Sequence, residues 1–456
     1  MLMFLVFLLL KGVVLSLPFS SKPILLVVDS FEPFIKQEIS KYCEEHEIQL
    51  NNVLSSYAAR IMESKGYPTI PPKFIIPNKK SEILDWVYNH HITPSNNEFI
   101  QCILCESDSG VTAAESLECC LKVNGNGNSN HMRDKFEANE ICKRNGLQTV
   151  QQCKISNKEN IKELFSKMFS NGKCIVKPCR GVGSEDVFLA YTYDEAIQAF
   201  DKIKDSPKYG GGVNDEVLFQ EYITGTEYAV DTVSCNGEIK VVAMWKYHKL
   251  PLNGGPFVYQ CTELVGSEDE HAVAAAEYSI AALNAVKHRW GATHTEVIVT
   301  RDGPRLVEIN TRWHAAPFAD ICLASFGYSA IDACLDAFFD QASFNGIPSM
   351  AFNPAGKGRI IHLINCKEGT VEEINRHIIK EIQSLPSFLD MDLYYEKDSE
   401  VVRTTNIKTD SGYVCLHHTN LNQIQKDYDL ITKQLQHELF RIKVVERGEE
   451  EEKNEK

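Results

Sequence analysis

Residues 173–184 run Lys-Cys-Ile-Val-Lys-Pro-Cys-Arg-Gly-Val-Gly-Ser, a short apolar strand that carries an inward lysine into a glycine-bearing turn. Glycine lets a backbone come close to an anion and aim its N–H groups at it, and Lys177 adds a point charge from the strand before. Gly181, Gly183 and Ser184 are therefore expected to cradle phosphate. A Lys-Pro pair ahead of a glycine turn is also a common strand exit, so the assignment rests on what flanks it.

Downstream, residues 294–300 and 305–309 read as two strands joined by Arg301-Asp302-Gly303-Pro304, a composition suited to a hairpin. Side chains alternate along a strand, so Glu308 and Asn310 share a face and the opposite strand brings Glu296 beside them. Two carboxylates and an amide oxygen are hard ligands of the kind Mg²⁺ (or Mn²⁺) prefers when water and phosphate oxygens fill its other positions. Arg312 follows on the same face, where a guanidinium can grip a phosphate or carboxylate bidentately. His294 shares the face of Glu296; packing and proximity to phosphate are both open to it.

Composition narrows the partners. With 456 residues, 43% hydrophobic and 24% charged, the chain is an ordinary globular one of roughly three compact units. Its formal charge of −15 excludes a broad nucleic-acid-binding face and leaves room for a local basic pocket. Residues 1–20 form an apolar leader interrupted by Lys11, compatible with a signal peptide cleaved before Leu17 but too short for a stable membrane span. Secretory or organellar entry is thus open, while an odd count of 15 cysteines and the absence of any Asn-x-Ser/Thr sequon favour the cytoplasm. Cys102/Cys105 and Cys119/Cys120 lack a second pair at zinc-finger spacing, and the neighbours His90-His91 and His417-His418 would point apart in a strand.

Along the chain, residues 21–130 alternate strand-like runs (23–29, 48–54, 73–76, 99–105) with helical ones (34–45, 57–65, 81–88), the pattern of a doubly wound parallel-sheet domain. A Gly/Asn-rich stretch at 124–130 ends it. Residues 131–340 begin with an expected helix over 131–145 bearing Arg133, Asp134 and Lys135. The phosphate strand, a helix at 193–204, antiparallel strands at 216–221, 227–235 and 239–246, a helix at 270–288 and the hairpin follow. Trp245, Lys246, Tyr247 and Lys249 precede 251–256, a glycine-containing segment suited to a lid. A C-terminal lobe over 341–444 is expected to hold a strand at 359–363, a helix at 370–385, a strand at 412–416 and a long helix at 421–440, before an acidic tail at 445–456.

In this order the motifs resemble the ATP-grasp carboxylate–amine ligases, in particular the bacterial L-amino-acid ligases (dipeptide synthases) and carnosine-synthase-like enzymes, over residues 23–440. The resemblance implies an α/β domain followed by an ATP-grasp fold of α/β and α+β character with a C-terminal lobe. It implies Lys135, in Arg133-Asp134-Lys135, as the first phosphate lysine and Lys177 as the second. Gln220-Glu221-Tyr222-Ile223 would be the hinge that takes adenine, with Glu227 on the ribose, and Glu296 followed by Glu308-x-Asn310-x-Arg312 would be the metal hairpin. Residues 106–117 look like that branch's interdomain loop. His294 resembles a histidine found near the phosphates. Where such ligases place a glycine soon after the arginine, this chain has Trp313-His314, expected to narrow the acceptor pocket.

The implied activity uses ATP and Mg²⁺ to turn a carboxylate, an amino acid by preference, into an acyl phosphate that an amine converts to an amide, with ADP and phosphate released. Lys177, His294 and Arg312 would serve the chemistry. The partners are small-molecule carboxylate and amine substrates rather than nucleic acid, and a homodimer is compatible. Two alternatives stand beside it: a bicarbonate- or formate-using relative with a smaller donor pocket, and a nucleotide-binding regulatory protein without turnover.

Overall fold

The computed structural model describes residues 22–444 apart from 31–32, 66–70, 72–73, 78–79, 90–98, 128, 169–171, 182, 209–210, 315–316 and 352. The leader, His90-His91, Val182 of the glycine turn and the acidic tail lie outside the described residues.

Strand β1 (Pro23–Val28) is a continuous apolar run because both of its faces are covered. Leu25 and Val27 pack with Ile39 and Tyr42 of helix Pro33–Glu45, whereas Ile24, Leu26 and Val28 meet Ile83, Trp86 and Leu117 of helices Lys80–Asn89 and Val111–Leu121 on the other side. With β2 (Gln49–Ser55), β3 (Ile75–Ile76) and β4 (Phe99–Cys105) it forms a parallel sheet in the order β3-β2-β1-β4. The chain leaves β1 toward one neighbour and returns on the other. That makes its carboxyl end, at Asp29 and the 106–110 loop, a topological switch point. The supposed interdomain loop at 106–117 is only half loop, since Val111 starts a helix.

The expected 131–145 helix is broken. Asp134 is extended (φ −77°, ψ 111°) between helices Asn130–Arg133 and Lys135–Arg144, and its carboxylate caps the second by accepting from Phe136 N and Glu137 N. A four-stranded antiparallel sheet follows, β5 (Gln152–Ile155), β6 (Cys174–Pro178), β7 (Phe188–Ala190) and β8 (Val217–Glu221), ordered β5-β8-β6-β7.

The large sheet takes β9 (Thr226–Cys235), β10 (Glu238–Leu252), β11 (Gly255–Val265), β12 (Gly291–Thr300), β13 (Gly303–Asn310) and, from the C-terminal lobe, β14 (Lys357–His362), and is antiparallel throughout. Tyr228, Val230, Val297 and Val299 turn one face onto helix Glu270–Val286. By alternation Glu227, Asp231, His294 and Glu296 point the other way.

The 251–256 segment is no free lid: β10 and β11 close through a tight turn at Asn253 (φ 53°) and Gly254 (φ 85°), both left-handed. Asn253 Nδ2 donates to Asn365 O (3.1 Å) and Thr404 O (2.9 Å), tying the hairpin tip to the C-terminal lobe. In that lobe β15 (Gly369–Ile374) replaces the first half of the helix expected at 370–385. Only Arg376–Gln383 is helical, started by Asn375 accepting from His377 N and Ile378 N. Strands β16 (Phe388–Leu393) and β18 (Gly412–His418) extend the large sheet beyond β14, and β17 (Glu400–Val401) pairs with β15. The long helix expected at 421–440 ends at Lys433, and β19 (Phe440–Val444) completes the sheet β17-β15-β19. No single helix among the described residues is long and apolar enough to cross a membrane.

Candidate active site

The small and large sheets face each other across a cleft of about 1480 Å³. On the small sheet, Val176 goes into the apolar cluster under helix Tyr193–Ile203, so its neighbour Lys177 is turned to the cleft. Lys135, placed by the Asp134 cap, sends Nζ to Gly181 O (3.2 Å) and to Glu308 Oε2 (2.7 Å). Burial, then the nearby charge of Lys135, pushes the Lys177 amine down to about 8, with Glu308 and Glu296 pulling the other way. In the turn, Gly183 (φ 63°) and Ser184 (φ 59°) are left-handed, and a Cβ on Gly181 would sit 3.0 Å from Pro178 Cγ. The turn leans on Ile407 and Lys408 of the C-terminal lobe, and Lys408 pairs with Glu185.

At the end of β8, Glu221 N donates to Gln151 O (2.9 Å) and Gln151 N donates to Glu221 Oε1 (2.8 Å), so the Glu221 carboxylate is engaged by backbone. Glu221, Tyr222 and Ile223 line the cleft. Gly225 then passes so close to the hairpin that a Cβ would lie 2.3 Å from Val299 O. Glu227 Oε1 accepts from Lys249 Nζ (2.8 Å). Burial works against that ammonium, but Glu227, Tyr259 and Glu296 hold it protonated.

The hairpin pairs Glu296 with Glu308 and His294 with Asn310. His294, Glu296 and Glu308 bring one ligand atom each within 4.8 Å of one another. Asn310 Nδ2 contacts both His294 Nε2 (2.9 Å) and Glu308 Oε1 (2.8 Å). Both amide protons are thereby used and Oδ1 is left to accept a cation, so the oxygen set fits a hard divalent ion and His294 orients Asn310 rather than ligating. Burial, with Glu308 adjacent, pushes the Glu296 carboxyl up; Glu308, equally buried, is held low by Lys135. Burial and His314 push His294 well below the usual imidazole range, so it is neutral.

One expectation is corrected, and Arg312 already has a partner. Arg312 lines the cleft, but Nε (2.8 Å) and Nη2 (2.6 Å) both donate to Asp108 Oδ2, and Nη1 donates to Trp313 O (3.0 Å). Its partner in this structure is a carboxylate at the switch point of the N-terminal parallel sheet. Trp313 does not narrow the pocket: it is 2% exposed, packed with Leu25, Tyr42 and Leu335 in the core that joins the N-terminal domain to helix Ala330–Phe339. It is the next residue, His314, that lines the cleft. Asp108, which also takes Arg133 Nη2 (3.4 Å), was not singled out from sequence. An acidic residue just past β4, at the switch point of a parallel sheet, was the available signal. Asp231 and the packed aromatics Tyr247 and Tyr259 carried none.

Residues 132–316 match the family model described as an ATP-grasp domain. Among characterised proteins, dapdiamide A synthase of Enterobacter agglomerans is 27% identical over 248 residues, 54% of this chain and 58% of that protein. The trifunctional purine biosynthetic protein adenosine-3 of Drosophila melanogaster is 24% identical over 241 residues, 49% of this chain and 18% of that protein. The chain thus spans little more than half of the first relative and less than a fifth of the second. The L-amino acid ligase from Bacillus licheniformis superposes with a TM-score of 0.71 at 16% identity over 93% of this chain and 99% of that one. N5-carboxyaminoimidazole synthase from Aspergillus clavatus, solved with ADP, gives 0.63 at 13% identity over 91% and 99%. The fold of these structures is the fold described above.

Proposed function

We propose that this chain, whose residues 132–316 match the ATP-grasp domain model, is an ATP-dependent carboxylate–amine ligase that forms a C–N bond with release of ADP and phosphate. The observation that carries the reading is the meeting of Lys135 and Lys177 with the Glu296–Glu308–Asn310 hairpin across one buried cleft. The relatives that join amino acids support it, as does the match in fold along nearly the whole chain.

A carboxylate repels nucleophiles by its own charge and must be activated first. Lys135, Lys177 and the backbone of the 181–184 turn would hold the β- and γ-phosphates of ATP and neutralise charge as the substrate carboxylate attacks in line. Glu296, Glu308 and the free Oδ1 of Asn310 would hold Mg²⁺ or Mn²⁺, which supplies neutralisation of phosphate oxygens when bound. Arg312, kept cationic by Asp108, would stabilise the acyl phosphate and then the oxyanion formed as the amine attacks. Hinge residues Glu221–Ile223 would take adenine and Glu227 the ribose. Because the hairpin tip at Asn253 is already pinned, exclusion of water falls to the 181–184 turn, latched by Lys408–Glu185. The carboxylate is read as an amino acid, and the active assembly as a monomer or homodimer.

The test is release of ADP and phosphate by the purified chain with Mg²⁺ and ATP across single and paired amino acids, β-alanine included, with mass spectrometry of products. An amide formed in step with phosphate is expected. Tight ATP binding with no phosphate release across the panel would overturn the reading.

A further inference from the structure

We propose that Tyr247, His314 and Asp231 form a proton relay that deprotonates the attacking amine; the proposal rests on the ligase reading above. Asp231, 2% exposed on β9, accepts from Trp245 Nε1 at Oδ2 (2.6 Å) and meets His314 Nδ1 at Oδ1 (3.0 Å). An ionised carboxylate only accepts, so the imidazole carries its proton on Nδ1 and turns the Nε2 lone pair outward. Tyr247 OH lies 3.0 Å from that Nε2 and donates to it. The phenol oxygen of this cleft-lining residue keeps lone pairs for a proton arriving from a substrate. The His314 ring is held in its plane by stacking against His294 (centroids 4.3 Å apart, 5° between planes) and Phe318 (3.6 Å, 9°).

The other imidazoles of the cleft are otherwise engaged: His248 Nε2 lies 3.2 Å from Glu263 Oε2. His294 Nε2 is taken by Asn310, and His362, though bound to Asp410, faces Thr262 Oγ1 (3.3 Å), a residue with no exposed surface. Around Tyr247 stand Lys249 (4.8 Å over its ring), Glu227, Glu296 and Tyr259. With its OH already directed at His314 Nε2, Tyr247 can pass a proton on as it receives one, without holding the charge itself.

An amine in neutral water arrives as an ammonium with three N–H protons and no lone pair. One proton moves to the Tyr247 oxygen as the tyrosine's own proton moves to His314 Nε2, and Asp231 neutralises the imidazolium. The freed lone pair forms the C–N bond, the C–O bond to phosphate breaks, a second proton leaves with phosphate, and the third remains on the amide. His314 then returns its proton to water.

The test compares two nucleophiles on Tyr247→Phe and His314→Gln. Hydroxylamine is already neutral near pH 7 and needs no base, whereas an amino-acid amine does. Hydroxamate formation within about threefold of wild type, with amide formation down about 100-fold or more, is the expected split. Amide formation within threefold of wild type in both variants would overturn the relay. Equal loss with both nucleophiles would overturn it too, reducing the three residues to a structural role. Wild-type protein that makes neither hydroxamate nor ADP with any carboxylate would fail the ligase reading itself, an outcome distinct from either.

Discussion

Replacing Asp108 by asparagine should loosen the joint between the N-terminal parallel sheet and the β12–β13 hairpin. Burial alone would push this carboxyl up, but Arg312 and Arg133 outweigh it and hold it below its ordinary value. Arg312 donates two hydrogen bonds to one oxygen at 2.6 and 2.8 Å, and the side chains are 5% and 15% exposed. Removing one partner of a buried pair costs about 3–5 kcal/mol because the other charge stays buried. The lower end applies, since Arg312 keeps Trp313 O and the nearby Glu308 charge. At about 2–4 °C per kcal/mol for a cooperative unit of 150–250 residues, the first calorimetric transition should drop by roughly 6–12 °C. The pH dependence has a definite sign. A carboxyl whose pKa is depressed by folding contributes stability above its unfolded value near 4, and this is lost as pH falls through the lower folded value. The gap between wild type and Asp108→Asn should therefore close in acid. A double-mutant cycle with Arg312→Met should give a coupling of about 2 kcal/mol. A coupling under about 0.5 kcal/mol, or a gap that persists into acid, would refute the reasoning.

Lys177→Met should leave the melting temperature within a few degrees and remove ADP formation, and residual turnover would deny the lysine its role. In wild-type protein, nucleotide affinity should fall by up to about tenfold per pH unit above pH 8, as the Lys177 ammonium is lost; titration calorimetry of ADP between pH 7 and 9.5 checks this, with Lys177→Met flat. Gly225→Ala should cost about 1–3 kcal/mol and raise KM for ATP, because the new methyl meets Val299 O and must push the hinge away; an unchanged melt would refute the close approach. Trp313→Ala should cost about 3–5 kcal/mol by emptying the interdomain core, with amine preference unchanged. A shift in preference without loss of stability would return Trp313 to the pocket.

Local pattern was sufficient for much of this molecule. The apolar run of β1, the Lys177 strand with its glycine turn and the Glu308-x-Asn310 spacing of β13 each depend on periodicity or backbone freedom that neighbouring residues alone decide. The order of those motifs was enough to anticipate a parallel-sheet α/β layer followed by an ATP-grasp fold. Even errors of this kind left local marks: Asn253-Gly254 is a tight-turn dipeptide between alternating runs, and Asp134 is a good helix cap inside a supposed helix. What only the tertiary structure decided is which distant groups meet. Asp108 reaches Arg312 across 204 positions, Asp231 reaches His314 across 83, and Trp313 turns into a core built by the first strand of the chain. No periodicity encodes such pairs, because a side chain's partner is set by how sheets and helices pack against one another. Hydrophobic burial drives that packing without naming the polar residues it brings together.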